Sequence, residues 1–417
     1  MSSIEKDILR SIGPGFVTGA ADDDPSGIAT YSQTGALFGF SQLWIALFSY
    51  PFMVAVQEMC GRIGLVTGKG LSGVIKEHYS KKILYGAVLL LLIANTINIG
   101  ADLGAMADSL GLVIKAPFVI WLIIITFTTL FLEIFVSYPS YVKFLKYLTL
   151  FLFAYVITAF LVRPNWGTIA YSTFVPHISL SRDYLLNVAA FLGTTISPYL
   201  FFWQADEEVE EEIVKGEIKA IGLGIPKFEK KDIRNMRIDT FTGMFFSNMI
   251  TFFILVTAAS TLGAHGMREI QTASQAASAL RPLAGNLAFL LFALGIIGTG
   301  LIAVPVLAGS AGYAISEAFN WHAGLGKKFN QAHGFYLVIA LATLVGLLVN
   351  FSPIGSITML YYSAILNGVL APPLLILILL VSNNEKILGT RTNGWLSNIL
   401  GIVITLVMGV VAVSLLF

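Results

Sequence analysis

The fold of this chain is decided by the run Gly19-Ala20-Ala21-Asp22-Asp23-Asp24-Pro25-Ser26-Gly27. Three acids, a proline and a glycine interrupt residues 13–38, a segment otherwise apolar enough to cross a membrane. Acids at bilayer depth are costly and are usually kept for function, and Pro25 removes a backbone donor and clashes with the preceding turn. Broken backbone is tolerated there only if it is buried in protein or lines a cavity. We therefore predict a helix in two halves, beside a cavity whose carboxylates favour a cation.

The composition indicates a polytopic membrane protein. Of the 417 residues, 56% are hydrophobic and only 12% are charged, whereas soluble domains carry about 25% charged residues. We count about eleven apolar spans of about 20 residues each, and we expect one all-α transmembrane domain over residues 1–417. The predicted spans are 12–36, 42–62, 84–109, 117–136, 142–162, 185–206, 238–262, 287–316, 335–351, 356–381 and 396–416.

Charge and cysteine content limit the partners of the chain. A net charge of +1 gives no reason to expect nucleic acid, and the single cysteine, Cys60, excludes an internal disulfide or a multi-cysteine metal site. We expect contact with the lipid bilayer, no resident cofactor and no obligate protein partner. The short N-terminal segment is mixed in charge and is not followed by a small-residue cleavage site, so we expect no removable signal peptide.

The distribution of positive charge predicts the orientation in the cytoplasmic membrane. If the N-terminus is cytoplasmic, 20 of the 25 Lys and Arg residues fall in cytoplasmic segments and 5 fall outside. Cytoplasmic loops of membrane proteins carry the excess of positive residues. We therefore predict a multi-pass protein with a cytoplasmic N-terminus and, because the number of spans is odd, an external C-terminus.

The sixth span carries a second break. Residues 193–199 read Gly-Thr-Thr-Ile-Ser-Pro-Tyr in the middle of an apolar segment. Two interrupted spans five apart, in opposite orientations, predict a five-plus-five inverted repeat with the substrate site where the breaks meet. The repeats would be 12–162 and 185–381, followed by an accessory helix at 396–417. The alternative is that Pro198 only kinks a helix, as prolines in membrane helices often do.

Oxygen ligands dominate both breaks. Asp24 directly precedes the proline and is the best candidate metal ligand, since carboxylates and carbonyls suit Mg²⁺, Mn²⁺ and Ca²⁺. The second break frees carbonyls around Thr194 and adds the Ser197 hydroxyl, but no methionine, histidine or cysteine, which argues against copper or zinc. Asp22 and Asp23 cannot both point the same way as Asp24, and we expect at least one to face the vestibule or cap a half-helix. The alternative for all three acids is helix capping alone.

A polar stripe follows the third span. Asn95, Asn98 and Asp102 fall at helical spacing on one face, and we expect them to line the ion pathway together with Asn367 of the tenth span. The alternative is an interhelical hydrogen-bond network. All five histidines fall in predicted loops or at span ends, so a histidine proton relay has no candidate within the membrane.

Six acids occur in residues 206–212, directly after the sixth span. They could attract cations to the inner mouth of a pathway. We favour the simpler interpretation of a solvated loop whose charge offsets seven nearby positive residues.

The two breaks resemble those of a known family. Gly13-Pro14-Gly15-Phe16 followed by Asp24-Pro25-Ser26-Gly27 resembles the first helix of the NRAMP divalent-metal transporters, whose motif is Asp-Pro-Gly-Asn. Residues 193–199 resemble the sixth helix of that family, whose motif is Met-Pro-His. The similarity runs over most of the chain. It implies a LeuT-like fold with a five-plus-five inverted repeat and broken helices 1 and 6.

The chain departs from the NRAMP pattern at the ligand positions of both breaks. Asp24 and Pro25 match, but the motif glycine is Ser26 and the asparagine ligand is Gly27. In the sixth helix the methionine ligand is Ser197. The ligand set that the resemblance implies is Asp24, Gly27, Thr194 and Ser197.

Further departures concern the groups that move protons in the family. The histidine after the family's proline is Tyr199, and a second histidine falls at Gln204. In the third helix the family's glutamate is Asn95, while Asp102 matches. This pattern resembles the NRAMP-related magnesium transporters, a branch that carries Mg²⁺ as well as Mn²⁺.

These substitutions change the expected chemistry. A thioether favours transition metals over hard ions, so its loss removes that discrimination. The shorter Gly27 and Ser197 would enlarge the pocket, and a roomy site suits Mg²⁺, which usually keeps several waters. Loss of both histidines and of the glutamate weakens the case for proton coupling. We therefore predict a non-enzymatic importer of Mg²⁺, and of Mn²⁺, that works by alternating access without proton coupling.

Four other functions stay open at this point. The nearest is a proton-coupled Mn²⁺/Fe²⁺ transporter of the same family. A sodium-coupled organic-solute symporter shares the architecture, although the acids of the first break disfavour an anionic substrate. An intramembrane aspartyl protease would use Asp24 and Asp102, but the chain reads Gly100-Ala101-Asp102 without the full Gly-x-Gly-Asp element. A channel would be distinguished by flux that does not saturate.

Overall fold

The computed structural model describes residues 13–136 and 149–415, and every regular element in those ranges is a helix. Single turns of 3-10 helix join several of the helices. In chain order the helices are α1 Pro14–Asp22, α2 Pro25–Phe38, α3 Leu43–Thr67, α4 Leu71–His78, α5 Lys81–Val113, α6 Phe118–Phe135, α7 Phe153–Leu161, α8 Trp166–Phe174, α9 Arg182–Thr195, α10 Pro198–Lys215, α11 Lys230–Thr261, α12 Ala273–Ala277, α13 Arg281–Ala284, α14 Ala288–Phe319, α15 His333–Val349, α16 Ser356–Ser382, α17 Glu385–Leu388 and α18 Trp395–Ser414.

The apolar helices stand where the sequence predicts membrane spans. Within the described ranges, eight helical stretches are long and apolar enough to cross a membrane, and the pair Leu150–Leu161 and Trp166–Phe174, bent by 117°, can supply a ninth. The halves α1 and α2 and the 17-residue α15 occupy the predicted first and ninth spans. Residues 142–148 of the predicted fifth span lie outside the described residues, as do residues 12, 416 and 417.

Both predicted breaks are present, and each has the same local cause. The break between α1 and α2, in the first span, has extended backbone at Asp24 (φ −66°, ψ 170°), directly before Pro25. The break between α9 and α10, in the sixth span, has extended backbone at Ser197 (φ −83°, ψ 138°), directly before Pro198. Proline suits the first position of a helix, where its missing N–H would be unpaired anyway, and it disfavours helical backbone in the residue before it. Each break is therefore set by a proline and its predecessor.

The acidic segment 206–212 is helical, so the prediction of a solvated loop is wrong. Helix α10 continues past the predicted end of the sixth span to Lys215, and it stops where Gly216 takes a positive φ of 82°. Glutamate is a good helix former, and Lys215 pairs with two glutamates of the same helix. Asp206 and Glu208 are buried. Charge indicated a loop, but charge does not show that neighbouring helices cover one face of the segment.

Helix α1 is held along its length by one face of α11. Asp239, Gly243 and Ser247 of α11 are spaced four residues apart and therefore share that face. The Asp239 carboxylate accepts the N–H groups of Gly13 and Gly15, at 3.1 and 2.6 Å, at the start of α1. A Cβ on Gly243 would lie 2.2 Å from the Gly15 carbonyl oxygen, so the two backbones touch. Small residues let membrane helices approach this closely, and the contact positions α1.

Helix α9, the other half-helix that ends at a break, is positioned in the same way by α16. A Cβ on Gly193 would lie 2.1 Å from the carbonyl oxygen of Ala364, and one on Gly368 would lie 2.2 Å from that of Ala189. The backbones of α9 and α16 therefore touch as well. These two glycine contacts fix the positions of α1 and α9 in the bundle, and so where the two breaks meet.

Candidate cation-binding site

The two breaks lie side by side in the interior of the bundle. The Ser26 hydroxyl lies 3.3 Å from the Thr194 hydroxyl. The Tyr199 hydroxyl donates to the carbonyl oxygen of Ala21, in the last turn of α1, at 2.9 Å. The last carbonyls of a helix have no partner within it, and Tyr199 satisfies one of them. A side chain from the second break thus closes the end of the half-helix at the first.

Asp24 is buried, and its hydrogen bonds stabilise it as an anion. One carboxyl oxygen accepts the Ser26 hydroxyl and the Gly27 N–H, both at 2.7 Å, and the other accepts the Asn98 amide at 2.9 Å. The Asn98 carbonyl in turn accepts the Ser363 hydroxyl at 2.8 Å. Asp24 is the N-cap of α2, where the positive end of the helix dipole favours a carboxylate. Since a carboxylate has about four acceptor positions, one of them remains to bind a cation.

The other predicted ligands differ in what they can offer. The Ser197 hydroxyl donates to the carbonyl oxygens of Gly193 and Thr194, both at 2.7 Å, so its proton is used within the break while its oxygen can still bind a cation. A Cβ on Gly27 would lie 3.2 Å from the Tyr31 ring and 3.3 Å from the Thr194 hydroxyl oxygen. The expectation that Gly27 enlarges the pocket is therefore wrong in this conformation, because Tyr31 and Thr194 fill the space of the missing side chain.

The polar stripe of α5 divides between two environments. Asn98 binds Asp24, and Asp102 is fully buried beside Asp24 without a hydrogen bond of ordinary geometry. Asn95 instead donates to a carbonyl oxygen and to the Ser310 hydroxyl of α14, at 2.8 and 2.7 Å. Asn95 therefore belongs to an interhelical hydrogen-bond network, which was the alternative to lining the ion pathway. Asn98 and Asp102 stay candidates for the pathway.

Two further predicted residues lie beside the breaks rather than at them. Gln204 donates to Glu208, one turn further along α10, at 3.0 Å. Asn367 of α16 is buried, and its amide nitrogen has no hydrogen-bond partner among the described residues. Asn367 lies one helical turn from Ser363. Ser363 was not among the residues predicted from the sequence. Two polar residues four apart in the apolar tenth span are the signal that would have found Ser363.

Asp22 and Asp23 contact α11, whereas Asp24 contacts α5. The Ser247 hydroxyl donates to a carboxyl oxygen of Asp22 at 2.6 Å and lies 3.4 Å from one of Asp23. All three acids are buried, and in the described ranges no Lys, Arg or His side chain lies within 4.0 Å of their oxygens. Asp24 thus points away from Asp22 and Asp23, which share the hydroxyl of Ser247. Ser247 was missed because one serine in an apolar span gives no functional signal.

The site is closed to solvent on both sides. Asp22, Asp24, Thr194 and Ser197 are each at most 1% exposed, so this conformation is occluded. Across the part of the chain that the structure describes, no group of three or more His, Cys, Asp or Glu side chains is placed to hold a metal ion. A cation between the breaks would therefore rely on one carboxylate, neutral oxygens and water.

An acidic cavity of about 490 Å³ lies at the N-terminal end of α1. An excess of acids in a cleft raises the local concentration of cations. Segment 206–212 supplies two of these acids, which supports the interpretation that it attracts cations to one mouth of a pathway. The charged residues that line the cavity are Glu208, Glu211, Lys215, Asp232 and Asp239.

The fold and the site together define a class of membrane protein. The first and sixth spans are broken at mid-length, and their breaks meet around a buried carboxylate. This is the LeuT-like five-plus-five fold, in which discontinuous helices form the substrate site. Residues 15–417 match the family described as Nramp, Natural resistance-associated macrophage protein-like, and the chain belongs to that family. The family expected from the two breaks is thereby confirmed.

Individual relatives agree in sequence and in fold. The chain is 23% identical over 412 residues to the divalent metal cation transporter MntH of Caldanaerobacter subterraneus subsp. tengcongensis, covering 96% of this chain and 90% of that protein. The crystal structure of the Eremococcus coleocola manganese transporter, in complex with an aromatic bis-isothiourea substituted compound, has a TM-score of 0.77 at 15% identity and covers 100% of this chain and 88% of that one. Mhp1, a nucleobase-cation-symport-1 family transporter, has a TM-score of 0.59 at 14% identity, with coverages of 97% and 91%. At these identities the two structures show a shared fold.

Proposed function

We propose that this chain is a divalent metal cation transporter that imports Mg²⁺, and Mn²⁺ as well, by alternating access. The proposal is carried by Asp24, a buried carboxylate where two broken helices meet, surrounded by neutral oxygen groups. Sites of this kind bind the substrate in secondary transporters. The Caldanaerobacter relative is a divalent metal cation transporter and the Eremococcus protein is a manganese transporter, which supports a divalent metal ion as the substrate.

The donor set favours hard ions. The candidate ligands Asp24, Thr194 and Ser197 offer only oxygen, and neither break contains a thioether or an imidazole. Oxygen ligands suit Mg²⁺ and Mn²⁺, whereas sulfur ligands select softer metals. A single carboxylate is also sufficient for Mg²⁺, which usually keeps several waters. We infer Mg²⁺ from these donors and not from pocket size, because Tyr31 and Thr194 occupy the space beside Gly27.

We propose that import is driven by the membrane potential rather than by protons. Tyr199 and Gln204 stand where the family resemblance places histidines, and neither side chain exchanges a proton near neutral pH. The potential supplies about 2.3 kcal/mol per charge per 100 mV, and twice that for a divalent ion. The charge distribution supports a cytoplasmic N-terminus and an external C-terminus. From the two breaks we propose repeats at 12–162 and 185–381 and an accessory helix at 396–417.

Two contacts would have to change as the occluded site opens. Opening at the N-terminal end of α1 would separate α1 from α11 and break the bonds between Asp239 and the N–H groups of Gly13 and Gly15. Opening at the opposite end would separate α9 from α16, where Gly193 and Gly368 hold the backbones together. Alternating access follows if only one of these contacts opens at a time.

Uptake into proteoliposomes tests the proposed function. The purified protein should accumulate Mg²⁺, read by an internal fluorescent indicator, when the potential is inside-negative, and the internal pH should stay constant. Flux that saturates with ion concentration identifies a carrier rather than a channel. Uptake of Mn²⁺ or Fe²⁺ with acidification and without Mg²⁺ flux would identify the proton-coupled alternative and overturn the proposal.

Replacing Ser197 by methionine is expected to shift the selectivity toward softer ions. The new side chain would place a thioether at the second break, and thioethers favour transition metals. We expect uptake of Cd²⁺ and Mn²⁺ to rise relative to Mg²⁺ by about tenfold, which corresponds to about 1.4 kcal/mol. Competition between ions in the same proteoliposomes measures the ratio, and Ser414→Met at the end of α18 is the matched control. An unchanged ratio would show that residue 197 does not contact the ion.

A further inference from the structure

Asp22 and Asp23 lie at the C-terminal end of α1, and this end of a helix disfavours carboxylates. Asp22 is the last residue of α1, and Asp23 is its C-cap. The carbonyl end of a helix carries about half a negative charge, so anions are normally found at the other end. Asp24, at the start of α2, has that favourable position and three hydrogen-bond donors. The pair formed by Asp22 and Asp23 lacks both the favourable helix end and this number of donors.

This acid pair is short of hydrogen-bond donors. Ser247 is the hydroxyl shared by Asp22 and Asp23, and a hydroxyl has one proton to donate. The second carboxyl oxygen of Asp22 has no hydrogen-bond partner among the described residues, and the side chain is 0% exposed. No basic side chain in the described ranges pairs with either acid. A buried carboxylate without a partner is strongly unfavourable, so each of these acids must either carry a proton or pair with a cation.

We propose that Asp22, Asp23 and Ser247 form a second cation site, distinct from Asp24, that takes a divalent ion. In broken-helix transporters, unwound carbonyls and the C-terminal ends of half-helices coordinate cations. Mg²⁺ is bound through one or two carboxylates and keeps water in its remaining positions, and two carboxylates match its charge. The site lies between α1 and α11, whereas Asp24 is bound by Asn98 of α5.

The role of the second site in transport rests on the proposed function, although its chemistry does not. The acid pair and Asp24 occupy one break, and the acidic cavity lies at the far end of α1. An ion that leaves Asp24 toward that cavity would meet Asp22 and Asp23 first. A site there would divide the release of a buried divalent ion into two smaller free-energy steps.

Counting bound Mn²⁺ tests the second site. The purified full-length protein in detergent is titrated with Mn²⁺, and the electron paramagnetic resonance signal of the free ion gives the number bound. We expect two ions per wild-type chain, one in Asp24→Asn, and one in the variant that combines Asp22→Asn with Asp23→Asn. Ser247→Ala keeps both acids and should weaken one of the two sites about tenfold. Asp183→Asn, at the exposed start of α9, is the matched control and should bind two.

The outcomes separate this inference from the proposed function. One bound ion in the wild type, or two in the variant that lacks both acids, overturns the second site. If that variant does not fold, Ser247→Ala decides instead: two ions bound with the same affinities as in the wild type would overturn the second site. A wild type that moves Mg²⁺ but binds one ion refutes the second site alone, and one that binds two ions without flux refutes the proposed function alone.

Discussion

Replacing Asp24 by asparagine is expected to reduce Mg²⁺ and Mn²⁺ uptake by about 100-fold or more. The change removes the carboxylate charge where the breaks meet, and loss of an interaction with a charged group costs about 3 kcal/mol, or about 100-fold. Asparagine is as good an N-cap as aspartate, so α2 and the fold should persist. Initial rates in proteoliposomes at one ion concentration measure the effect.

The control for Asp24→Asn is Asp183→Asn, which removes an exposed acid from the first turn of α9. It should transport at the wild-type rate. Size-exclusion profiles and thermal unfolding of both variants show whether a loss of uptake reflects loss of fold. If Asp24→Asn is folded and transports normally, the ion binds elsewhere and the proposed site is wrong.

Replacing Gly243 by alanine is expected to remove most of the transport and part of the stability. The new Cβ would lie 2.2 Å from the Gly15 carbonyl oxygen and 2.8 Å from the Cα of Phe16. These are backbone atoms that cannot rotate away, so α1 must shift from α11. Overpacking costs about 1–3 kcal/mol, and we expect a lower unfolding temperature with uptake reduced by about tenfold or more.

Gly86→Ala is the matched control for Gly243→Ala. Gly86 also lies in a membrane helix, α5, but a Cβ there would meet no atom within 4 Å. This variant should unfold and transport like the wild type. Equal behaviour of the two alanine variants would show that α1 is not held against α11 in the transporting protein.

Both breaks were predictable because their causes are local. Pro25 and Pro198 favour the start of a new half-helix and disfavour helical backbone in the residue before them. Asp24 and Ser197, directly before them, are residue types that favour a helix N-cap, whereas Pro51, Pro305, Pro372 and Pro373 lie inside continuous helices. The positions of the spans follow from hydrophobic length in the same way. The Asp24 carboxylate could be proposed as an ion ligand because acids within apolar spans are expensive.

Contacts between helices were not predictable from the sequence. Ser247 reaches the first break, and Ser363 reaches Asn98 beside it, only because α11 and α16 pack there. Asn95 lies seven residues from Asp102, which is about 10 Å along α5. Residues on one face of a helix but two turns apart meet different neighbours, and Asn95 meets α14 instead of the site.

The surroundings of the acidic segment 206–212 and of Gly27 were misjudged. Burial of Asp206 and Glu208 depends on which helices cover α10, whereas the true end of that helix had a local signal in Gly216. At Gly27 a missing side chain indicated open space, but the ring of Tyr31, one turn along α2, occupies it. In both cases packing outweighed what the residue type suggested.

The location of a bound ion tests the central claim most directly. The protein would be crystallised or frozen with saturating Mn²⁺, and anomalous scattering from crystals would identify the metal. We predict a peak between the two breaks, bound to the Asp24 carboxylate directly or through one water, and adjoining Thr194 and Ser197. A structure that shows no ion there, or an ion only in the acidic cavity beside Asp239, would contradict this account.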